Sequence, residues 1–111
     1  MEVEKKNDVT VIRLTDDVEL DRNQIEDTFR QLVKLIDDVT QPKIVINLAK
    51  ISFMASPALG ILISFNQKIK TAEGELRLCH VNEQIYEVFS VTQITRLLKI
   101  CDTETAALES F

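Results

Sequence analysis

Glycine occurs only twice in the 111 residues, at Gly60 and Gly74, so neither a GxGxxG nor a GxxxxGK(S/T) loop is present and nucleotide chemistry loses its main signature. Aromatic residues make up 5% of the chain, which predicts a core built from Ile, Leu and Val. Basic charge is scarce as well. With 13 Lys and Arg against 18 Asp and Glu the formal net charge is −5, which repels phosphate backbones and argues against direct nucleic-acid binding. No apolar run approaches the roughly 18 to 20 residues of a membrane span, and MEVEKKNDVT carries no apolar signal core. A cytoplasmic location with no membrane contact is expected.

Cysteine and histidine are almost as rare. Cys79 and Cys101 each sit in an apolar strand-like run, LRLCHV and LLKIC, where a free thiol acts as a small hydrophobe. The single histidine, His80, has no Cys or acidic partner at ligand spacing and reads as a strand-end residue, so no metal and no cofactor are expected. It also has no Ser, Cys or Asp placed beside it by the pattern, and no catalytic triad can be assembled. Asp16, Asp17, Glu19 and Asp21 cluster in a loop and helix start, where their charge favours solvent and the helix dipole. An enzyme is not expected.

What is present is a globular balance, 45% hydrophobic and 28% charged residues, in a length suited to one domain. Val9 to Leu14 alternates with β-branched residues and reads as a strand, preceded by an edge strand around Glu2 to Lys6. Asp21 is placed to cap a helix in which Ile25, Phe29, Leu32, Val33 and Ile36 form one apolar face. After Pro42, Lys43 to Leu48 is nearly continuous in apolar residues, the pattern of a central strand covered on both faces. A second helix is predicted from Pro57 to Thr71, with Gly74 as its stop and turn, then a strand at Glu75 to Val81. A third helix follows at about Glu83 to Ser90 with Ile85, Val88 and Phe89 inward. A short strand at Leu97 to Cys101 and a helix starting at Thr103 complete the order β-β-α-β-α-β-α-β-α. The expected fold is α/β, a mixed, mostly parallel sheet of four to five strands with about four helices in one domain spanning residues 1–111.

The stretch ISFMASPALG, residues 51–60, joins the central strand to the second helix. Ser56 followed by Pro57 is a favoured helix start, with the serine expected as N-cap and its hydroxyl accepting an N–H of the first turn. On the helix itself Leu59, Leu62, Ile63 and Ile69 form one apolar face, while Ala58, Ile61, Phe65 and Ala72 form another. One covers the sheet. The other is either left partly exposed for a partner or a second copy, or buried by a neighbouring helix.

The run KIVINLAKISFMASPALGILISFNQKIKTAEGELRLCHV, together with the tail EVFSVTQITRLLKICDTETAAL, resembles the STAS domain, the fold of bacterial anti-sigma factor antagonists. The likeness extends over about Val9 to Phe111. The family's motif reads approximately Asp-Ser-Ser/Thr-Gly/Ala-Leu-Gly, and here the matching residues are Ala55-Ser56-Pro57-Ala58-Leu59-Gly60. The resemblance implies a non-enzymatic binding protein, phosphorylated at Ser56 by an anti-sigma factor that is a serine kinase and reset by a serine phosphatase. Its partner surface is then expected to include Asp21, Met54, Ala55, Pro57, Ala58, Ile61 and Phe65. The hairpin glycine usual in the family is missing from TDDVEL, and Ala55 in place of the aspartate and Pro57 in place of the second hydroxyl favour the alternative. That alternative is a non-phosphorylated STAS scaffold or homodimerising module in a bacterial signalling complex.

Overall fold

The computed structural model describes residues 1–111 except for the side chains of Val18 and Glu19, so the expectation for Glu19 lies outside the described residues. Five strands, β1 (Glu2–Lys6), β2 (Val9–Arg13), β3 (Lys43–Asn47), β4 (Glu75–Cys79) and β5 (Lys99–Cys101), form one sheet whose spatial order equals their sequence order. β1 pairs antiparallel with β2 through a tight hairpin, and the remaining pairs are parallel. Helices α1 (Ile25–Ile36), α2 (Ser56–Thr71) and α3 (Glu83–Val91) make the three crossovers, and α4 (Glu104–Glu109) follows β5. The α/β order and the mixed, mostly parallel sheet are those expected from the sequence.

The chain advances from β2 to β5 in one direction, so right-handed crossovers place α1, α2 and α3 on the same side of the sheet. Strand side chains alternate between the two faces, and the core divides accordingly. On the three-helix side Ile12, Ile44, Ile46, Leu76 and Leu78 pack with Leu32, Leu62, Phe65, Ile69 and Phe89. On the opposite side Val9, Val11, Val45 and Cys79 pack beneath Ala107 of the short α4.

The α4 side also carries charge. Arg13 donates two hydrogen bonds to the Glu104 carboxylate, at 3.0 and 2.7 Å, and Asn47 adds a third at 2.8 Å. Lys6 is 3.3 Å from the same carboxylate. These partners hold Glu104 at a pKa of about 2, the Arg13 hydrogen bonds being the largest cause. Thr103 caps α4 by accepting the Ala106 N–H, and the Phe111 ring lies 4.7 Å from the Arg77 guanidinium.

Several boundaries differ from expectation for local reasons. β4 stops at Cys79 rather than Val81, because His80 turns to φ 55° and leaves the strand. β5 begins at Lys99 rather than Leu97, since the Leu97 and Leu98 N–H groups are taken by Ile94 in a short 3-10 turn at Ile94–Arg96. Another such turn, at Asp17–Leu20, precedes α1. Gly74 is not the left-handed residue that ends α2; Glu73 is, with φ 61°. Gly74 is required for space, as a Cβ there would lie 2.2 Å from the Pro42 carbonyl oxygen.

Candidate functional site

At the end of β3 the chain leaves the sheet through a turn in which the Asn47 side chain accepts the Ala49 N–H at 2.8 Å and Leu48 accepts the Ile51 N–H at 3.0 Å. Ile51 and Met54 then point inward, 2% and 6% exposed, and pin the loop to the core. Between and after them Ser52, Phe53 and Ser56 face solvent. Phe53 is 69% exposed, an unusual position for so large an apolar ring.

Two polar brackets hold this loop. From the 3-10 turn, Asp17 accepts the Ser52 N–H at 2.8 Å and the Ser52 hydroxyl at 2.5 Å. The hydroxyl bond is the main reason that the Asp17 carboxyl titrates below its ordinary value. From the start of α3, the Asn82 amide donates to the Ile51 carbonyl at 3.1 Å, while its oxygen accepts the Ile85 N–H at 2.8 Å as N-cap. One asparagine therefore both starts a helix and ties it to the loop.

Ser56 is the first residue of α2 and not its N-cap. Ala55 occupies the cap position at φ −81° and ψ 162°, with no side-chain capping bond. The helix start is instead made by backbone: the Ala55 carbonyl accepts the Ala58 N–H at 2.9 Å and the Leu59 N–H at 3.4 Å. Pro57, at the second helical position, has no N–H to satisfy. Proline geometry and backbone bonds thus take over the role assigned to the serine hydroxyl, and that hydroxyl belongs to an exposed residue.

Asp21 is not the N-cap of α1, which is Gln24 without a side-chain capping bond; it accepts the Asn23 N–H at 2.8 Å and the Gln24 N–H at 3.1 Å in the turn that runs into the helix. Its neighbourhood reaches the loop, since Asp17, Leu20, Asp21 and Arg22 line a shallow groove with Phe53 and Ala55.

The second apolar face of α2 is not open. Ala58 and Phe65 are fully buried, and Ile61 and Ala72 are partly so. α2 is the middle helix of three and packs against α1 as well as β4, so both of its apolar faces are inside. Of the expected partner residues, Ala58 and Phe65 have no surface to offer and Met54 very little, whereas Asp21, Ala55, Pro57 and Ile61 retain some. Val88 corrects the sequence reading in the other direction. Expected inward, it is 38% exposed, with Val91 at 76%.

Phe53, Asn82 and Val91 were missed as site residues. An asparagine directly before a helix is a legible cap signal, but Phe53 in an apolar run and Val91 at a helix end carry no mark of exposure. Cys79 is buried next to Cys101, its register partner on β5, and burial pushes its thiol up to about 12, so it remains a protonated packing residue. His80 accepts the Glu104 N–H at 3.3 Å beside α4. Among the described residues no helix is long and apolar enough to cross a membrane.

The family described as the STAS domain matches residues 1–107. An anti-sigma F factor antagonist of Paenibacillus polymyxa is 27% identical over 108 residues, 97% of this chain and 91% of that protein. A STAS domain protein from Planctomyces limnophilus has the same fold at a TM-score of 0.87, with 24% identity over 98% of this chain and 95% of that one. The Bacillus cell fate determinant SpoIIAA in its phosphorylated form superimposes with a TM-score of 0.70 at 22% identity, over 97% and 96% of the two chains.

Proposed function

Because the chain belongs to the STAS domain family, we propose that it is an anti-sigma factor antagonist, binding an anti-sigma factor of the serine-kinase type through the Ser56 turn and released when that kinase phosphorylates Ser56. A serine phosphatase returns it to the binding form. One observation carries this reading: Ser56 is exposed at the tip of α2, on a loop braced by Asp17 and Asn82. A kinase can reach it without unfolding anything.

The energetics favour a switch in binding over a switch in fold. A phosphoserine carries about −1.5 to −2 charges, and a helix N-terminus stabilises an anion by about 0.3 to 1 kcal/mol. Here even that gain is small in hydrogen bonds, since Pro57 has no N–H and the Ala58 N–H already serves Ala55. In a docked complex the same dianion must shed its water unless basic groups of the partner meet it. The desolvation penalty is about several kcal/mol, and about 1.4 kcal/mol is tenfold in affinity. Release follows while the domain stays folded.

Ala55 and Pro57 favour a second reading, a STAS scaffold or homodimerising module never modified at Ser56. The two readings part in one experiment. The purified chain, incubated with the anti-sigma factor kinase of the same cell and ATP, should gain the mass of one phosphoryl group, and Ser56→Ala should not. An unmodified mass beside a kinase active on another substrate overturns the first reading. Ser56→Asp should bind the kinase at least about tenfold more weakly with an unchanged melting temperature.

A further inference from the structure

One flank of α3 is apolar and exposed, beside an outermost face that carries Glu83, Glu87 and Ser90. Ile85 and Phe89 turn inward, 2% and 0% exposed. Gln84, Val88 and Val91, spaced by 4 and 3 residues, share a flank beside that buried face. Val88 and Val91 are 38% and 76% exposed.

Single exposed valines are ordinary, but these continue into the loop. Phe53 and Val88 line one shallow groove with Met54 and Gln84. Gln84, Val88 and Val91 line the next, together with Glu87. On its other side Phe53 shares a third with Ala55, next to Ser56. Three neighbouring grooves that share Phe53 and Val88 thus link the Ser56 turn to the end of α3, with exposed Phe53, Val88 and Val91 as their apolar residues, the kind of patch that marks a docking surface.

Its edge along α3 is acidic. Glu83 and Glu87 are exposed on this helix, which contains no basic residue. We propose that the strip Phe53–Val88–Val91 docks the anti-sigma factor, through a partner surface that is apolar at its centre and edged with Lys or Arg where it meets Glu83 and Glu87. The inference rests on the function proposed above and adds a second arm, leading from beside the Ser56 turn to the end of α3. A second copy of the chain is the poorer occupant. A two-fold dimer through this strip would bring together two α3 helices that carry acidic and no basic residues, in a chain already at net charge −5.

The test is calorimetric titration of the anti-sigma factor kinase of the same cell into wild type, Phe53→Ser, Val91→Asp and Glu87→Lys. Melting curves serve to show that each variant is folded, as expected for substitutions at exposed positions. Each variant should bind at least about tenfold more weakly, and wild-type affinity should fall as KCl is raised. Wild-type affinity in all three variants overturns the inference and leaves the functional reading standing. Sedimentation that shows a wild-type dimer, converted to monomer by Val91→Asp with kinase binding intact, also overturns it, the occupant then being a second copy. A wild-type chain that binds no such factor overturns the reading of function and this inference with it.

Discussion

Asp17 and Ser52, 35 positions apart, are joined by two hydrogen bonds to a single carboxylate, one from the Ser52 backbone and one from its hydroxyl. This pair links the approach to α1 with the loop that presents Phe53 and Ser56, so an acidic residue that reads as one of a solvated cluster has a structural partner. Its effect is to hold the loop at its most exposed point.

Asp17→Ala should therefore lower stability by about 1 kcal/mol, below the usual range for hydrogen bonds to a charged group because the site is open to water. Urea unfolding monitored by circular dichroism measures it. Asp17→Asn should recover part of the loss, since an amide oxygen can still accept the Ser52 N–H. Equal losses in both variants would mean that charge alone, and not the hydrogen-bonded bracket, holds the loop.

Glu104 sets the acid limit of the α4 side. Its folded pKa of about 2 lies below the ordinary 4.5, so the carboxylate's contribution is complete above about pH 4.5 and is lost as the pH falls toward 2. Stability measured by chemical unfolding should drop across that window. In Glu104→Gln the drop should be shallower, and stability at neutral pH should be about 2 kcal/mol lower through the loss of charged hydrogen bonds to Arg13 and Asn47. Equal acid slopes in the two proteins would assign the acid sensitivity to other carboxylates.

Gly74→Ala should destabilise the domain by about 1 to 3 kcal/mol through overpacking. A Cβ at this position meets the Pro42 carbonyl oxygen at 2.2 Å and the proline ring at 2.6 Å, and that carbonyl also accepts the Glu75 N–H at 2.8 Å at the start of β4. Relief of the clash must shift backbone. The melting temperature should fall, and an unchanged value would show that the connection before β3 yields freely. Gly60→Ala, with nothing within 4 Å of the added carbon, serves as the control.

Much of the fold was legible because it depends on short-range periodicity. The i, i+3, i+4 pattern from Ile25 to Ile36, the apolar run at Lys43–Leu48 and the alternation after Gly74 each follow from one element packing on one layer. The serine turn was legible too, as a likeness in ISFMASPALG. Its capping chemistry was not, because a serine before a proline reads as a cap until the backbone bonds of Ala55 are seen.

The order of strands and helices, and the inward face of each strand, were determined by the chain's own pattern, since side chains alternate with a period set by backbone geometry. Which helix faces remain outside was settled by the assembled layers. α2 carries two apolar faces and buries both, for it lies between neighbours, whereas α3 buries Ile85 and Phe89 and leaves Val88 and Val91 in solvent. Burial is a property of what packs against a residue, and those neighbours come from distant parts of the chain, where no local pattern can register them.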